Sequence, residues 1–572
     1  MLTYRSRMDG LMKQVKDTTS RPVLRYDYDA KGQTVASTDA GGTCVEYTHD
    51  PVGRVVAIRQ GEKDLAQYTY ASGNRIASML YGNGVQTAYE YTPEFQVSRL
   101  HTRTADGTVL LDNQYTYDRS GNTIGCYGSE DHVAYRYDEM DRLVEARYAG
   151  YGTEQLTYDA SGNRVSRIWN GQRTSYTYGT RNRLLSLIEE ALQGEDGKQD
   201  ISKEQADGRI IRYAYDAQGN LIREHKGEQT TTYAYDAFNR TSRVEQADGR
   251  VVQHGYDPEG LRIRLDNNGN VRHFVHDGWH VVNELDETER VQASYILGHE
   301  WLTQLDDQGH MDYYVNNIHG DVTHLTGQQG QILNAYTYDA FGNMLSAREQ
   351  RGNPFRYAGE MQDALTGHYY LRARFYNPQI ARFTQEDTYR GDGLNLYAYV
   401  ANNPIRYVDP SGYMCEVKGD FIDRKPRMGD ANYDGNLPAK SWTLAVDGDG
   451  AHMIERVNVR NRPELEHFDL KTTPRFYPAG SPENAGQAHI RLHAATKKAG
   501  IKLRGGNPGL TDDLLLKQYE VAYNDTELDG ILGALRTPNS KLIIGDNLSP
   551  GEAYTKLLEW GTEYKKNNDN KE

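Results

Sequence analysis

Cysteine is nearly absent: Cys44, Cys126 and Cys415 are the three in 572 residues. They are too few and too scattered for a disulfide framework or a metal-binding spacing, though so low a count does not settle the compartment. No run of 18 apolar residues occurs, which excludes a membrane-spanning helix. The opening MLTYRSRMDGLMKQV lacks the apolar stretch of a signal peptide. Positive charge is also lacking, since 65 Lys and Arg face 80 Asp and Glu for a net charge of -15, which argues against nucleic-acid binding by the bulk of the chain. Phenylalanine is scarce, with 10 residues, whereas tyrosine reaches 44. Tyrosine buries a ring and keeps a hydroxyl for water or a neighbour. A sheet lined by such rings suits a shell with a wet interior better than a solid core.

The tyrosines come in a repeated phrase: a pair two residues apart, an acid, a turn, then an apolar residue. It reads Tyr115-Thr116-Tyr117-Asp118-Arg119-Ser120-Gly121-Asn122, Tyr135-Arg136-Tyr137-Asp138, Tyr213-Ala214-Tyr215-Asp216, Tyr233-Ala234-Tyr235-Asp236 and Tyr336-Thr337-Tyr338-Asp339. The acids at 118, 138 and 159 lie 20 and 21 residues apart, as do those at 216, 236 and 257. A fixed period of this size signals an array of small identical units. Tyr-x-Tyr places both rings on one face of a strand. Asp-x-x-Gly supplies turn chemistry, and the apolar alternation that follows is the return strand. Each unit is therefore a β-hairpin. A lone hairpin is marginal, so the units must join edge to edge into a long sheet.

Weaker copies fill the gaps, including Tyr47-Thr48-His49-Asp50, Tyr68-Thr69-Tyr70, Tyr89-Glu90-Tyr91, Tyr176-Thr177-Tyr178 and His276-Asp277. Residues 189–206 interrupt the series, and their polarity reads as an exposed loop insertion. The array starts within a few residues of Met1, so the expectation is a fragment of a longer protein or an orphaned module. On this reading residues 1–352 form the repeat array.

From residue 353 to 413 the repeats give way to a denser block. It holds Tyr369-Tyr370-Leu371-Arg372-Ala373-Arg374-Phe375-Tyr376, Arg382-Phe383, Glu386-Asp387, Gly393-Leu394-Asn395-Leu396-Tyr397, Asn402-Asn403-Pro404 and Asp409-Pro410-Ser411-Gly412. In this order these segments resemble the Rhs repeat-associated core, and with the upstream phrases the resemblance covers residues 1 to about 413. It implies a mainly β fold, a hairpin ribbon spiralling into a hollow shell, as in Rhs toxins, insecticidal toxin-complex C components and, more distantly, teneurins.

The resemblance also implies self-cleavage. The pair would be Asp387 and Asp409, 22 residues apart, with Arg382 as charge partner. The cut would follow Tyr413 and release a fragment starting at Met414. Two carboxylates held close do not both ionise readily, so one keeps a proton and the pair can activate water. This chain departs from the family pattern in three ways. Asp387-Thr388-Tyr389-Arg390 stands where Asp-Pro-x-Gly is usual, the spacing is one residue short, and Tyr413 replaces Leu. The plain alternative for Asp409-Pro410-Ser411-Gly412 is a tight turn, which its composition favours in any case.

Residues 414–572 differ in character, holding 6 of the 44 tyrosines and none of the repeat phrase. Residues 488–500 read as a helix closed by glycine, and Thr511 caps another ahead of Asp512 and Asp513. Ser549-Pro550-Gly551-Glu552 opens a third. Residues 441–446 and 541–544 read as strands, giving a small α+β domain. In the Rhs family this position holds a variable toxin tip, and the shell does not dictate which toxin. Between Arg456 and Arg504 ten Lys or Arg face four acids. His489, His493 and Lys497 share one face of the first helix, flanked by Arg491, and His452 lies near the basic stretch. Metal-free ribonucleases use this inventory: imidazoles as base and acid, a cation for phosphate charge. The plain alternative is a solvated His-Lys stripe. His489-x-x-x-His493 lacks the glutamate of a zinc-protease helix, and Asp447-Gly448-Asp449-Gly450 lacks the later glutamate of a calcium loop, so neither motif predicts a metal; no cofactor is predicted for the chain, and the sequence leaves that of the tip open.

Two function classes follow. One is an Rhs shell that encloses, cuts free and delivers a cytotoxic tip, a nuclease acting on RNA or DNA. Its partners would be a cognate immunity protein, an upstream secretion or delivery module, and nucleic acid as substrate; its location would be secreted or cell-surface. The other is a wall-associated repeat protein that binds carbohydrate or mediates contact, with a non-enzymatic tail.

Overall fold

A computed structural model describes residues 3–6, 12–16, 22–128, 132–191, 209–389 and 395–417, together with 475–478, 533–536, 543–548 and 554–557. The chain divides into two units, Met1–Asp434 and Gly435–Glu572.

In the first unit, 32 described strands from Thr3–Ser6 to Met344–Glu349 form one antiparallel sheet. Each strand pairs with the next in sequence, as when Val109–Tyr117 pairs with Thr123–Tyr127 and Thr123–Tyr127 with His132–Tyr137. The reason lies in the turn. Asp118 N–H donates to Asn122 O at 2.9 Å and Gly121 N–H to Asp118 O at 3.1 Å, closing a three-residue loop with Gly121 at φ +84°. This is a type I turn with a bulge, and its left-handed residue suits glycine. The register shift falls on the second tyrosine of the phrase, between Thr116 and Tyr117, Arg136 and Tyr137, and Ala234 and Tyr235. The acid is an internal cap: Asp118 Oδ1 accepts from Asn122 N–H at 2.9 Å.

Three devices join neighbouring hairpins beyond the ladder. The first tyrosine is buried in apolar clusters, for example Tyr176, Tyr213 and Tyr233 with Leu184, Leu221 and Val252. The second tyrosine donates its hydroxyl to a backbone carbonyl of the preceding hairpin: Tyr137 to Thr123 at 2.7 Å, Tyr158 to Leu143 at 2.8 Å, Tyr235 to Leu221 at 2.7 Å and Tyr256 to Thr241 at 2.7 Å. The asparagine after the turn glycine reaches sideways to the next turn. Asn122 donates to Asp141 at 2.8 Å, Asn163 to Asn182 at 2.9 Å and Asn220 to Asn239 at 3.0 Å. The turns thus form a continuous hydrogen-bonded row.

The sheet also folds back on itself within this unit. Tyr26 Oη donates to Asp277 at 2.8 Å, Asn283 Nδ2 to Asp39 at 2.7 Å and Asn83 Nδ2 to Gly327 O at 2.8 Å. Glu189 to Ala191 extend the strand Leu184–Ala191 before the polar insertion, and 192–208 lie outside the described residues.

The block after residue 353 is built differently. Its strands are short: Met361–Gln362, Tyr369–Leu371, Arg374–Asn377 and Arg382–Phe383 make a four-stranded antiparallel sheet. Buried Tyr357, Tyr369, Tyr376, Phe383 and Tyr399 pack as one cluster, with Tyr376 and Tyr399 stacked at 3.9 Å between ring centres. This block lies along the row of repeat turns. Asn403 donates to Asn122 Oδ1 at 2.9 Å, Asn402 to Gly162 O at 2.9 Å, Tyr397 to Gly219 O at 2.8 Å and Gln385 to Asn239 O at 2.9 Å.

In the second unit the described strands Arg475–Pro478, Gly533–Arg536 and Ile543–Leu548 form a three-stranded sheet. Residues 554–557 are helical, with Tyr554 and Leu557 buried, where the helix opened by Ser549 is expected. Among the described residues no helix is long and apolar enough to cross a membrane.

Candidate active site

The motif that reads as a tight turn is one, and it is also charged and buried. Gly412 N–H approaches Asp409 O at 3.4 Å, with Gly412 at φ +69°. Asp409, 3% exposed, turns its carboxylate back over this turn. Asp409 Oδ1 accepts from Ser411 Oγ at 3.0 Å, Tyr413 N–H at 3.1 Å and Met414 N–H at 3.1 Å. The last contact is to the amide nitrogen of the Tyr413–Met414 bond.

Asp387 comes from the other side of the block. Its backbone N–H is held by Leu396 O at 3.0 Å, and its Oδ1 accepts from Tyr389 N–H at 2.7 Å. Arg374 joins the two acids: its Nη2 lies 2.8 Å from Asp387 Oδ2 and 3.6 Å from Asp409 Oδ2. Its Nε donates to Gly412 O and its Nη1 to Leu396 O at 3.0 Å. The guanidinium carbon sits 3.5 Å from the ring centre of Phe383, which holds the cation in place from below.

The site therefore brings Asp387 and Asp409 together but replaces the expected charge partner. Arg382 is turned away from both acids. It donates to Asn163 Oδ1 at 3.1 Å and to Asn182 O at 2.5 Å, between the rings of Tyr178 and Tyr397. Its role is to fasten the block to the repeat turns. The physical reason is reach: the strand Arg374–Asn377 runs beside the turn at 409–412, whereas Arg382 begins the strand facing residues 163 and 182. Arg374 stands in the Tyr369–Tyr376 motif, where the sequence assigns it no role. No strand alternation marks it, since Arg372 and Ala373 form the turn between Tyr369–Leu371 and Arg374–Asn377; Arg372 and Arg374 nonetheless both end on the 410–412 segment.

Burial pushes the Asp409 carboxyl above the usual carboxylate range, against the opposing pull of Arg374 and of the Met414, Ser411 and Tyr413 donors. A cavity of about 20 Å³, room for about one water, is lined by Arg374, Asp387, Tyr389, Asn395, Leu396 and Asp409. The described residues contain no group of three or more His, Cys, Asp or Glu positioned for a metal ion. His452, His489, Arg491, His493 and Lys497 lie outside the described residues, as do the strand and helices expected at 441–446, 488–500 and after Thr511.

Comparison with known proteins agrees in three places. The Teneurin YD-shell family matches residues 113–405, the RHS Repeat family residues 28–64, and the family described as Toxin protein PT1 residues 447–566. The tRNA3(Ser)-specific nuclease WapA of Bacillus spizizenii is 31% identical over 228 residues, 38% of this chain and 8% of that protein. The tRNA nuclease WapA of Bacillus subtilis is 29% identical over 228 residues, with the same coverage. A crystal structure of TcdB2–TccC3–TEV superposes with a TM-score of 0.53 at 20% identity, over 68% of this chain and 21% of that one. The chain thus spans under a tenth of the length of these WapA relatives. At that identity the structural likeness establishes the fold alone, that of a YD-repeat β-shell; the toxin-family match lies in residues 447–566.

Proposed function

This chain belongs to the Rhs/YD-shell family, and from that premise we propose that its shell encloses the C-terminal tail, cuts it free after Tyr413, and delivers it as a toxin. The observation that carries the cleavage step is the contact of Asp409 with the Met414 amide while Arg374 spans both acids. Asp409, biased by burial toward its protonated form, is the general acid. Asp387, ion-paired with Arg374, is the general base for a water in the cavity both acids line. Water oxygen attacks the Tyr413 carbonyl carbon while its proton passes to Asp387. The carbon–nitrogen bond then breaks and Asp409 protonates the departing Met414 nitrogen. Mass spectrometry of the purified chain tests this: a fragment starting at Met414 is expected, and a single intact species refutes it.

For the released tail, the reading is a nuclease acting on RNA or DNA. Its support is the match of residues 447–566 to a toxin family, the tRNA-nuclease names of the WapA relatives, and the basic, histidine-bearing stretch around His452, His489, Arg491, His493 and Lys497. A cognate immunity protein, an upstream delivery module and a secreted or surface location belong to the same proposal. Expression of the full chain, and of residues 414–572, in a bacterium tests it. Degraded nucleic acid that His489→Ala and His493→Ala variants spare is the expected outcome; normal growth with intact RNA and DNA removes the nuclease reading.

A further inference from the structure

The residues ahead of the scissile bond are gripped as a peptide in a groove. Leu371 and Arg374 pair across a hairpin whose two loop residues are Arg372 and Ala373. Arg372 lies at φ 58°, a left-handed conformation that usually selects glycine. What its side chain holds accounts for an arginine there. Arg372 Nη1 donates to Pro410 O at 3.0 Å and Nε to Trp279 O at 3.3 Å, while Glu360 pairs with the guanidinium. One residue on, Ala373 N–H donates to Ser411 O at 3.3 Å. One further, Arg374 Nε donates to Gly412 O. Three successive residues of the hairpin thus take three successive carbonyls, 410, 411 and 412. The fit is closed above Gly412, where an added Cβ would lie 2.4 Å from Leu371 O and 3.0 Å from Arg374 N, both backbone atoms.

We propose that the 371–374 hairpin is a peptide subsite for the self-cleavage reaction, with Arg372 the positioning residue that sets which bond is cut and Gly412 the residue the subsite selects. This rests on the cleavage reading above. Arg372 touches neither acid in the contacts that define the site; it acts by fixing Pro410 against the turn at Trp279 and against Glu360, so that the chain cannot slide past Asp409. The hairpin's three grips, on the carbonyls of 410, 411 and 412, lie before the cut. The shell therefore keeps its new C-terminal end in the subsite, and the two acids serve one bond once.

The test is a time course of the full chain made by cell-free translation, with the released fragment's first residue read by mass spectrometry. Wild type is expected to yield a fragment starting at Met414. Arg372→Gln is expected to slow release about a hundredfold, the scale of a misplaced reacting group, and to spread the first residue over neighbouring positions; Arg372→Lys restores part of both. Gly412→Ala is expected to remain uncut, and it decides the matter if Arg372→Gln does not fold. Wild-type rate with a single cut before Met414 in Arg372→Gln, or normal cutting of Gly412→Ala, overturns the proposal. So does slower release from an unchanged position with a lowered melting temperature, which marks a structural role. An uncut wild-type chain is a separate outcome: it defeats the cleavage reading itself, and the subsite with it.

Discussion

The repeats and the block that follows them use the same residue types to opposite ends. Within the repeat phrase, hydrogen bonds are short in sequence: turn acids reach four residues along, second tyrosines 14 to 20 back, turn asparagines 19 across, while a few such as Tyr26 to Asp277 close the sheet on itself. In the block they span 146 residues from Gln385 to Asn239, 178 from Tyr397 to Gly219 and 281 from Asn403 to Asn122. A hairpin needs only its neighbours, so its stability is a local sum. The block needs the finished row of turns before its own contacts exist, and long-range contacts form late because chain closure must come first. On the proposed function, a cleavage site assembled only on the completed array would couple cutting to the end of folding.

The sharpest way to break this comparison is at the acids. Asp409→Asn or Asp387→Asn is expected to abolish the Met414 fragment while leaving the repeat sheet's circular dichroism unchanged. Cleavage surviving in both variants would separate the site from the reaction.

Next comes a repeat-core change. Leu143, fully buried in one apolar cluster, is expected to cost about 3 kcal/mol as Leu143→Ala. The loss should be confined to adjoining hairpins in hydrogen exchange, and cleavage should continue; a chain that loosens throughout would deny the repeats their independence.

Acid sharpens the difference by acting where the block meets the sheet. His254 and His368 are both buried and held neutral, His368 with its proton affinity down to about 4 and His254 shifted in the same direction by burial and Arg262. The unfolded chain takes up these protons near pH 6.5 and the folded chain does not. Their contribution is therefore present above about 6.5 and lost as pH falls toward 4, at about 1.4 kcal/mol per pH unit for each histidine. Thermal melts between pH 7 and 4.5 check this, and His368→Asn should flatten the profile. A melting temperature independent of pH would contradict it.

The smallest effect is one stitch. Tyr137→Phe removes a single hydroxyl bond to Thr123 O and is expected to cost about 1 kcal/mol, read as a local rise in hydrogen exchange. A loss several times larger would mean that the stitches act collectively.

Much of the array was legible because its contacts repeat with the sequence. Tyr-x-Tyr, Asp and Gly predict strand, bulged turn and return strand, and the registers follow them. The sideways asparagine contacts were not legible, because Asn122 and Asp141 meet only after two hairpins are laid side by side. In the site, Asp387, Asp409 and Arg382 came from a family pattern, and the structure places Arg382 on Asn163 and Asn182, away from both acids. Sequence spacing places an arginine near an acid along the chain; only strand order reveals that Arg374 lies between both.

By itself, the sequence determined the unit: a tyrosine pair, an acid and a glycine settle a hairpin through bonds spanning a few residues. The tertiary structure alone decided where the row of turns becomes a platform, which arginine joins the two carboxylates, and why Gly412 must lack a side chain. Those outcomes depend on backbone atoms far apart in the chain brought to within a few ångströms, and no local pattern records such distances.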